Sequence, residues 1–259
     1  IINLVFKLFG KYKIDILPSI VFNYFTCSIL GQSLSQTFIF GEHNINQPYF
    51  IFAIVLGLLF VLIFYAMAKT TALFGVGVNA VSAKMGFIFP TIFFFIFLQE
   101  QIGILQLLAI ILAIIAVWFM KVKDEKVVKK QSFWFFPILV FIGSGIIDSS
   151  LKWLDISYGT NNNSLLVSTT IFSSAAILGT VIIVPQWQRI NGRNIIAGIC
   201  LGIPNLFSIY FLLLAIKQLK GLSTGAFFAV NNVGVILIST LAAVILLKEQ
   251  LKQKQWIGL

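Results

Sequence analysis

YAMAKTTALFGVGVNAVSAKMGFIFPTIFFFIFLQEQIGILQLLAI, residues 65–110, overlays LAIKQLKGLSTGAFFAVNNVGVILISTLAAVILLKEQLKQKQWIGL, residues 214–259, without a gap. Ten of the 46 positions are identical: Ala66, Leu73, Ala80, Val81, Thr91, Ile96, Leu98, Glu100, Gln101 and Gln106 match their partners. Each copy ends a long apolar run on a Glu-Gln pair, Glu100-Gln101 and Glu249-Gln250 (249 − 100 = 149). In so apolar a chain these identities are thin evidence, and the order of segments carries more. Each half also opens on an apolar segment ending in a lysine between large apolar residues, Phe6-Lys7-Leu8-Phe9 and Leu151-Lys152-Trp153-Leu154. A membrane chain built of two related halves has the architecture of a carrier.

Composition sets the class. The chain is 59% hydrophobic and 10% charged with a mean hydropathy of +1.01, against about 45–50% and 25% in soluble domains. An all-α integral membrane protein follows: the apolar runs are too long and too uniform for barrel strands, which alternate over about ten residues. The net charge of +10 comes from basic residues in short loops and not from one face of a soluble domain, so nucleic acid is not an expected partner. Cys27 and Cys200 lie inside apolar runs as small hydrophobes, and His43 is the only histidine. No disulfide framework, metal site or cofactor is expected. Gly75-Val76-Gly77 has no preceding strand and no Gly-Lys-Ser/Thr cradle exists, so neither dinucleotide nor ATP chemistry is expected, and the chain does not read as an enzyme.

Eight complete spans emerge on asking where about 20 largely uncharged residues can cross a core of roughly 30 Å: Ile16–Leu34, Pro48–Ala68, Thr71–Leu98, Ile102–Met120, Phe133–Leu151, Ser164–Pro185, Asn194–Ile216 and Leu222–Leu247. Ile1–Phe9 reads as the tail of an earlier helix and Gln255–Leu259 as the first turn of a later one. The expectation is therefore ten transmembrane helices in two five-helix inverted repeats, residues 1–122 and 133–259, joined by a basic linker at 123–132. Alternate connections place fourteen cations on one side and three, Lys152, Lys217 and Lys220, on the other. The fourteen include Lys11, Lys13, Lys69, Lys121, Arg189, Arg193 and Lys248, and the positive-inside rule makes that side cytoplasmic.

Two five-helix halves, a lysine near the end of the first helix, Asn23-Tyr24 early in the second, and a long fourth helix with Pro90 followed by Glu100 and echoed at Glu249 together resemble the EamA-type transporters of the drug/metabolite transporter superfamily. The resemblance covers the whole chain. It implies a multi-pass secondary transporter of the bacterial inner membrane that moves small polar metabolites, amino acids or drugs, with export the expected direction. A proton or other coupling ion and self-association are compatible with it. Such families keep both termini in the cytoplasm, which conflicts with the charge asymmetry here. A channel, a solute sensor or, further off, a membrane-embedded transferase is the alternative class.

The chemistry is expected in polar groups held at membrane depth, where a charge costs at least about 2.5–3.5 kcal/mol. Lys84 stands near the middle of a span, flanked by Asn79 and Ser82, and can bind a carboxylate or take part in proton coupling. Asp148 is its natural partner if the fourth and sixth helices meet, although Lys152 four residues on offers a local pair. Asn23, Asn205 beside Pro204, Asn231 and Asn232 bring amides into spans, with Tyr24 and Tyr210 as further candidates to line a cavity; interhelical hydrogen bonding is the alternative for each. Gly198–Gly202 and Gly221–Gly225 are small-xxx-small patterns suited to packing. Glu100 and Glu249 sit where one helix ends and the next begins, which suits capping better than catalysis.

Overall fold

The computed structural model describes residues 1–35, 46–98, 133–158, 164–218 and 224–247, with a few isolated positions outside these ranges. Glu100, Glu249, Gly221, the linker at 123–132 and nearly all of the expected span Ile102–Met120 lie outside the described residues. Every regular element among the described residues is helical. The helices are α1 (Ile2–Lys11), α2 (Ile16–Ser35), α3 (Tyr49–Phe74), α4 (Val76–Met85), α5 (Ile88–Leu98), α6 (Phe135–Tyr158), α7 (Ser164–Ile183), α8 (Gly192–Gln218) and α9 (Thr224–Leu247), with a 3₁₀ turn at Val184–Arg189 between α7 and α8.

Five segments are long and apolar enough to cross a membrane: Tyr49–Phe74, Val76–Phe93, Phe135–Leu154, Leu165–Ile183 and Gly192–Leu212. Of the three other expected complete spans, two, those of α2 and α9, are helical but outside this set. At 20 residues α2 is long enough, about 30 Å at 1.5 Å per residue, but its Asn23, Gln32 and serines dilute its apolarity. Large apolar side chains cover the outside along the helices, among them Ile51, Val55, Ile196, Ile238 and Ile245, each more than 60% exposed. Such a surface suits hydrocarbon and not water. Several hydroxyls inside the bundle are satisfied within their own helices: Thr26 donates to the Phe22 carbonyl, Thr170 to Leu166 and Ser174 to Thr170.

The packing follows a reciprocal pattern. Helix α2 packs on α8 while α3 packs on α7; α3 meets α6 while α1 meets α8; and α2 pairs with α7, as α4 does with α9. The α2–α7 crossing is antiparallel: Gly31 lies against Thr169 and Gly179 lies against Val21. Adding 148 to Val21 and Gly31 gives Thr169 and Gly179 (21 + 148 = 169, 31 + 148 = 179), so the two contacts are copies of each other. The flanking crossings are alike without repeating residue for residue, since Gly57 and Gly202 are 145 apart (202 − 57 = 145). Gly57 of α3 abuts Ser174 and Ala175 of α7, and Gly202 of α8 abuts Thr26 and Asn23 of α2; Thr26 and Ser174 are again 148 apart (174 − 26 = 148). Ser28 and Ser173 join their hydroxyls at 2.6 Å near the middle of the α2–α7 seam.

The core lies where these helices cross. Tyr24, Phe60, Phe64 and Phe172 form an aromatic nest with ring centroids 5.6–6.3 Å apart, in the edge-on and offset arrangements that ring quadrupoles favour. At one end of the bundle the α1–α2 and α7–α8 connections meet: the Asp15 N–H donates to the Asn194 side-chain oxygen at 3.4 Å. These are two of the connections that the charge count places on one side.

Candidate site at a broken membrane helix

The segment read as one span from Thr71 to Leu98 is divided in the structure, and the two breaks have different causes. Thr71 to Phe74 complete α3, which stops at Gly75 with φ 95°, a left-handed conformation that glycine adopts without Cβ strain. The second break, at Gly86-Phe87, falls inside the membrane segment Val76–Phe93. Pro90 explains it. Proline has no N–H to give the carbonyl four residues back, and its ring crowds that carbonyl; here the carbonyl belongs to Gly86. It accepts instead from Phe89 at 3.0 Å, and Phe87 donates to Lys84 at 3.4 Å. Tightening to these shorter steps frees the Ala83 carbonyl from its helical partner, and the Ser144 hydroxyl of α6 donates to it at 2.8 Å.

Helix α6 reaches that carbonyl because glycines face each other at the crossing. A Cβ on Gly86 would sit 2.8 Å from the Gly145 nitrogen, and one on Gly145 would sit 2.7 Å from the Gly86 oxygen. Either contact is too close for a side chain. Lys84 is therefore held in the last turn of α4, next to the break, where a cation complements the helix C-terminus. Asp148 stands one turn beyond Ser144 on the same face of α6, near enough for the Lys84 charge to act on its carboxyl. Both residues are half-buried. Lys152, a further turn along, is buried.

Buried amides lie on α4 and on helices that pack against it. Asn79 of α4 donates to the side-chain oxygen of Asn3 on α1 at 3.0 Å, both buried, and its own side-chain oxygen lacks a partner. Asn232, on the α9 helix that packs against α4, is buried with its amide nitrogen unpartnered. Helix α4, with its cation and amide, thus packs against three helices that carry an amide (α1), a carboxyl (α6) and another amide (α9). Buried polar atoms with no partner are uncommon and costly, and they suit a place where a polar solute or water supplies the missing bond.

The remaining expected site residues are placed elsewhere. Asn23 and Asn205 meet each other at the α2–α8 crossing, with the Asn205 amide donating to the Asn23 oxygen at 3.1 Å, and Cys27 within 3.7 Å of the same amide. This is the interhelical role, although the Asn23 amide nitrogen has no partner. Tyr24 is fully buried in the aromatic nest and donates to the Phe60 carbonyl at 2.9 Å. That places it in the core and not on a cavity wall. Tyr210 is half-buried beside Phe211, and Asn231 is half-buried at the start of the described side chains of α9. Gly198 and Gly202 pack as the sequence pattern leads one to expect, against Ser19, Phe22, Asn23 and Thr26 of α2.

Sequence reasoning passed over Asn3, Ser144 and the break itself. Asn3 and Ser144 gave no signal in the chain, since each matters only through a partner at least 60 residues away. The break did have one: Pro90 four residues after Gly86. Replacing Pro90 by Ala restores an N–H for the Gly86 carbonyl, so Pro90→Ala is expected to raise the thermal midpoint in detergent while slowing any process that needs the break to flex. A variant no more stable than the wild type would mean that Pro90 does not hold the helix open.

No protein-family model matches the chain. An uncharacterized protein of Haemophilus influenzae is similar, 26% identical over 269 aligned positions that take in 100% of this chain and 89% of that protein. The likeness carries no activity with it.

Proposed function

We propose that this chain is a secondary transporter of small polar metabolites, of the EamA type, whose two halves rock about a solute site beside Lys84. The observation that carries the reading is the broken membrane helix with a cation at its break and a carboxyl on the helix that crosses it. Discontinuous helices near the midplane, with charged or polar groups at their ends, are where carriers hold solutes and coupling ions. Polar groups this deep are rarely kept without a use.

The reciprocal contacts support the two-half architecture. A pair of contacts in which each helix offers the same position to the other is what a two-fold axis produces. Because α2 and α7 run antiparallel at their mutual crossing, such an axis lies across the helices, in the plane of the membrane, which is the relation between inverted repeats. Under it α1, α4, α6 and α9 form one related set and α2, α3, α7 and α8 another. The first set holds the polar site and the Gly86–Gly145 crossing at the break, and the second holds the crossings at Gly31, Gly57, Gly179, Gly198 and Gly202.

The test is an untargeted comparison of medium and cell metabolites from bacteria expressing the full-length gene or an empty vector, with and without an uncoupler. The reading expects a defined set of polar solutes to be displaced by the gene, and the displacement to fall with the uncoupler if a proton couples it. Solutes that only equilibrate and never move against a gradient would identify a channel instead.

A further inference from the structure

On the outer face of the bundle α2, α7, the 3₁₀ turn and α8 enclose a groove of about 420 Å³. Its walls are Phe22, Phe25 and Ile29 of α2, Ile183 of α7, and Ile195 and Ile199 of α8. From Val21 to Ile29 it runs about 12 Å along α2, taking 1.5 Å per residue. The two hydroxyls that line it ask nothing of an occupant: Thr26 donates to Phe22 and Thr180 to Ala176 within their own helices. Its interior therefore suits a hydrocarbon chain. The groove exists because α7 ends at Ile183. Pro185 cannot extend the helical ladder, and the chain tightens into the turn that carries Trp187 onto the groove's rim.

The mouth of the groove is charged. Arg189 closes the turn and Arg193 opens α8, both exposed, and Trp187 beside them is 60% exposed. The contact between Asp15 and Asn194 brings the α1–α2 connection to the same end, adding Lys11 and Lys13, with Asp15 as the one carboxyl among these groups. A tryptophan at the rim with cations above an apolar slot matches the cross-section of a phospholipid: acyl chain, interface, phosphate. A second copy of this chain seated on the same face would bring two such cationic ends together, which disfavours that occupant.

We infer that this groove is a binding site for an anionic phospholipid of the surrounding bilayer, with an acyl chain between α2 and α8 and the phosphate at Arg189 and Arg193. The site is distinct from the one beside Lys84 and stands whether or not the chain is a transporter. It is tested by tryptophan fluorescence of the protein in nanodiscs containing phosphatidylglycerol or phosphatidylcholine brominated on the acyl chain. The chain has five tryptophans, so the Trp187 signal is the part of the quenching that Trp187→Phe removes. That part should favour phosphatidylglycerol by about fivefold in relative affinity for each arginine. The preference should vanish in Arg189→Gln/Arg193→Gln while the quenching by phosphatidylcholine stays as it was. Ile199→Phe, which fills the groove, should lower the quenching by both lipids. Equal quenching by the two lipids, a preference that survives loss of both arginines, or reversal by soluble glycerophosphoglycerol would overturn the inference.

Discussion

Lys84→Met is expected to abolish solute displacement in a protein that still reaches the membrane. The substitution keeps the length and apolar stem of the side chain and removes its charge, so packing against α6 changes little while the cation at the helix break is lost. Asp148 then has no counter-charge from α4, and because both groups are half-buried the loss is smaller than the roughly 3–5 kcal/mol of breaking a fully buried pair. Abundance should therefore fall as well, and comparison has to be made at matched membrane levels. Two companions separate the effects. Lys84→Met/Asp148→Asn neutralises both groups and should recover abundance without recovering transport. Lys84→Arg keeps the charge and should keep part of the activity, reduced because a planar fork does not replace an ammonium. Full displacement by Lys84→Met would remove Lys84 from the site.

The largest effects on stability are expected at the reciprocal crossings. In Gly57→Ala the new Cβ meets the Ala175 nitrogen at 2.7 Å, and in Gly202→Ala it meets the Asn23 oxygen at 2.7 Å. Both are backbone atoms, which cannot swing aside as a flexible side chain can. Overpacking of this kind typically costs about 1–3 kcal/mol, and because both new Cβ atoms meet backbone at the same 2.7 Å, their losses should be similar. Gly10→Ala is the control. No atom lies within 4 Å of a Cβ there, and α1 is helical at that position, so alanine should stabilise by about 0.5–1 kcal/mol. Thermal unfolding in detergent reads all three. A Gly57 variant as stable as wild type beside a strongly destabilised Gly202 variant would show that the two crossings are not packed alike.

Much of the fold is legible from hydropathy alone, because a membrane span declares itself by a long uncharged run. The start of α2 at Ile16 falls where the sequence puts it, and α7 ends at Ile183, two residues before the expected Pro185. The division of Thr71–Leu98 was missed because apolar content is continuous through Gly75 and Gly86, and hydropathy does not register a missing N–H. Within the site, Lys84 and Asp148 announce themselves as charges in apolar surroundings, and the structure brings their helices together at Gly86 and Gly145. The amides were harder to sort. Asn23, Asn79, Asn205 and Asn232 look alike in sequence, and only the helices they face separate the α2–α8 crossing from α4 and its neighbours. Tyr24 shows the same limit, since a tyrosine at membrane depth reads equally well as a solute contact or as a core ring until its neighbours are known.

Alternating access at the helix break is tested most directly by thiol labelling at Ser144, which shares the Asp148 face of α6 and donates to the Ala83 carbonyl. Ser144→Cys, in a background with Cys27→Ala and Cys200→Ala, keeps a weak donor at that position. A membrane-impermeant thiol reagent would be applied to right-side-out and inside-out vesicles. A site that opens to each side in turn predicts labelling from both faces of the membrane, with protection from both once the transported solute is supplied. Labelling from one face only, or from neither, would contradict it.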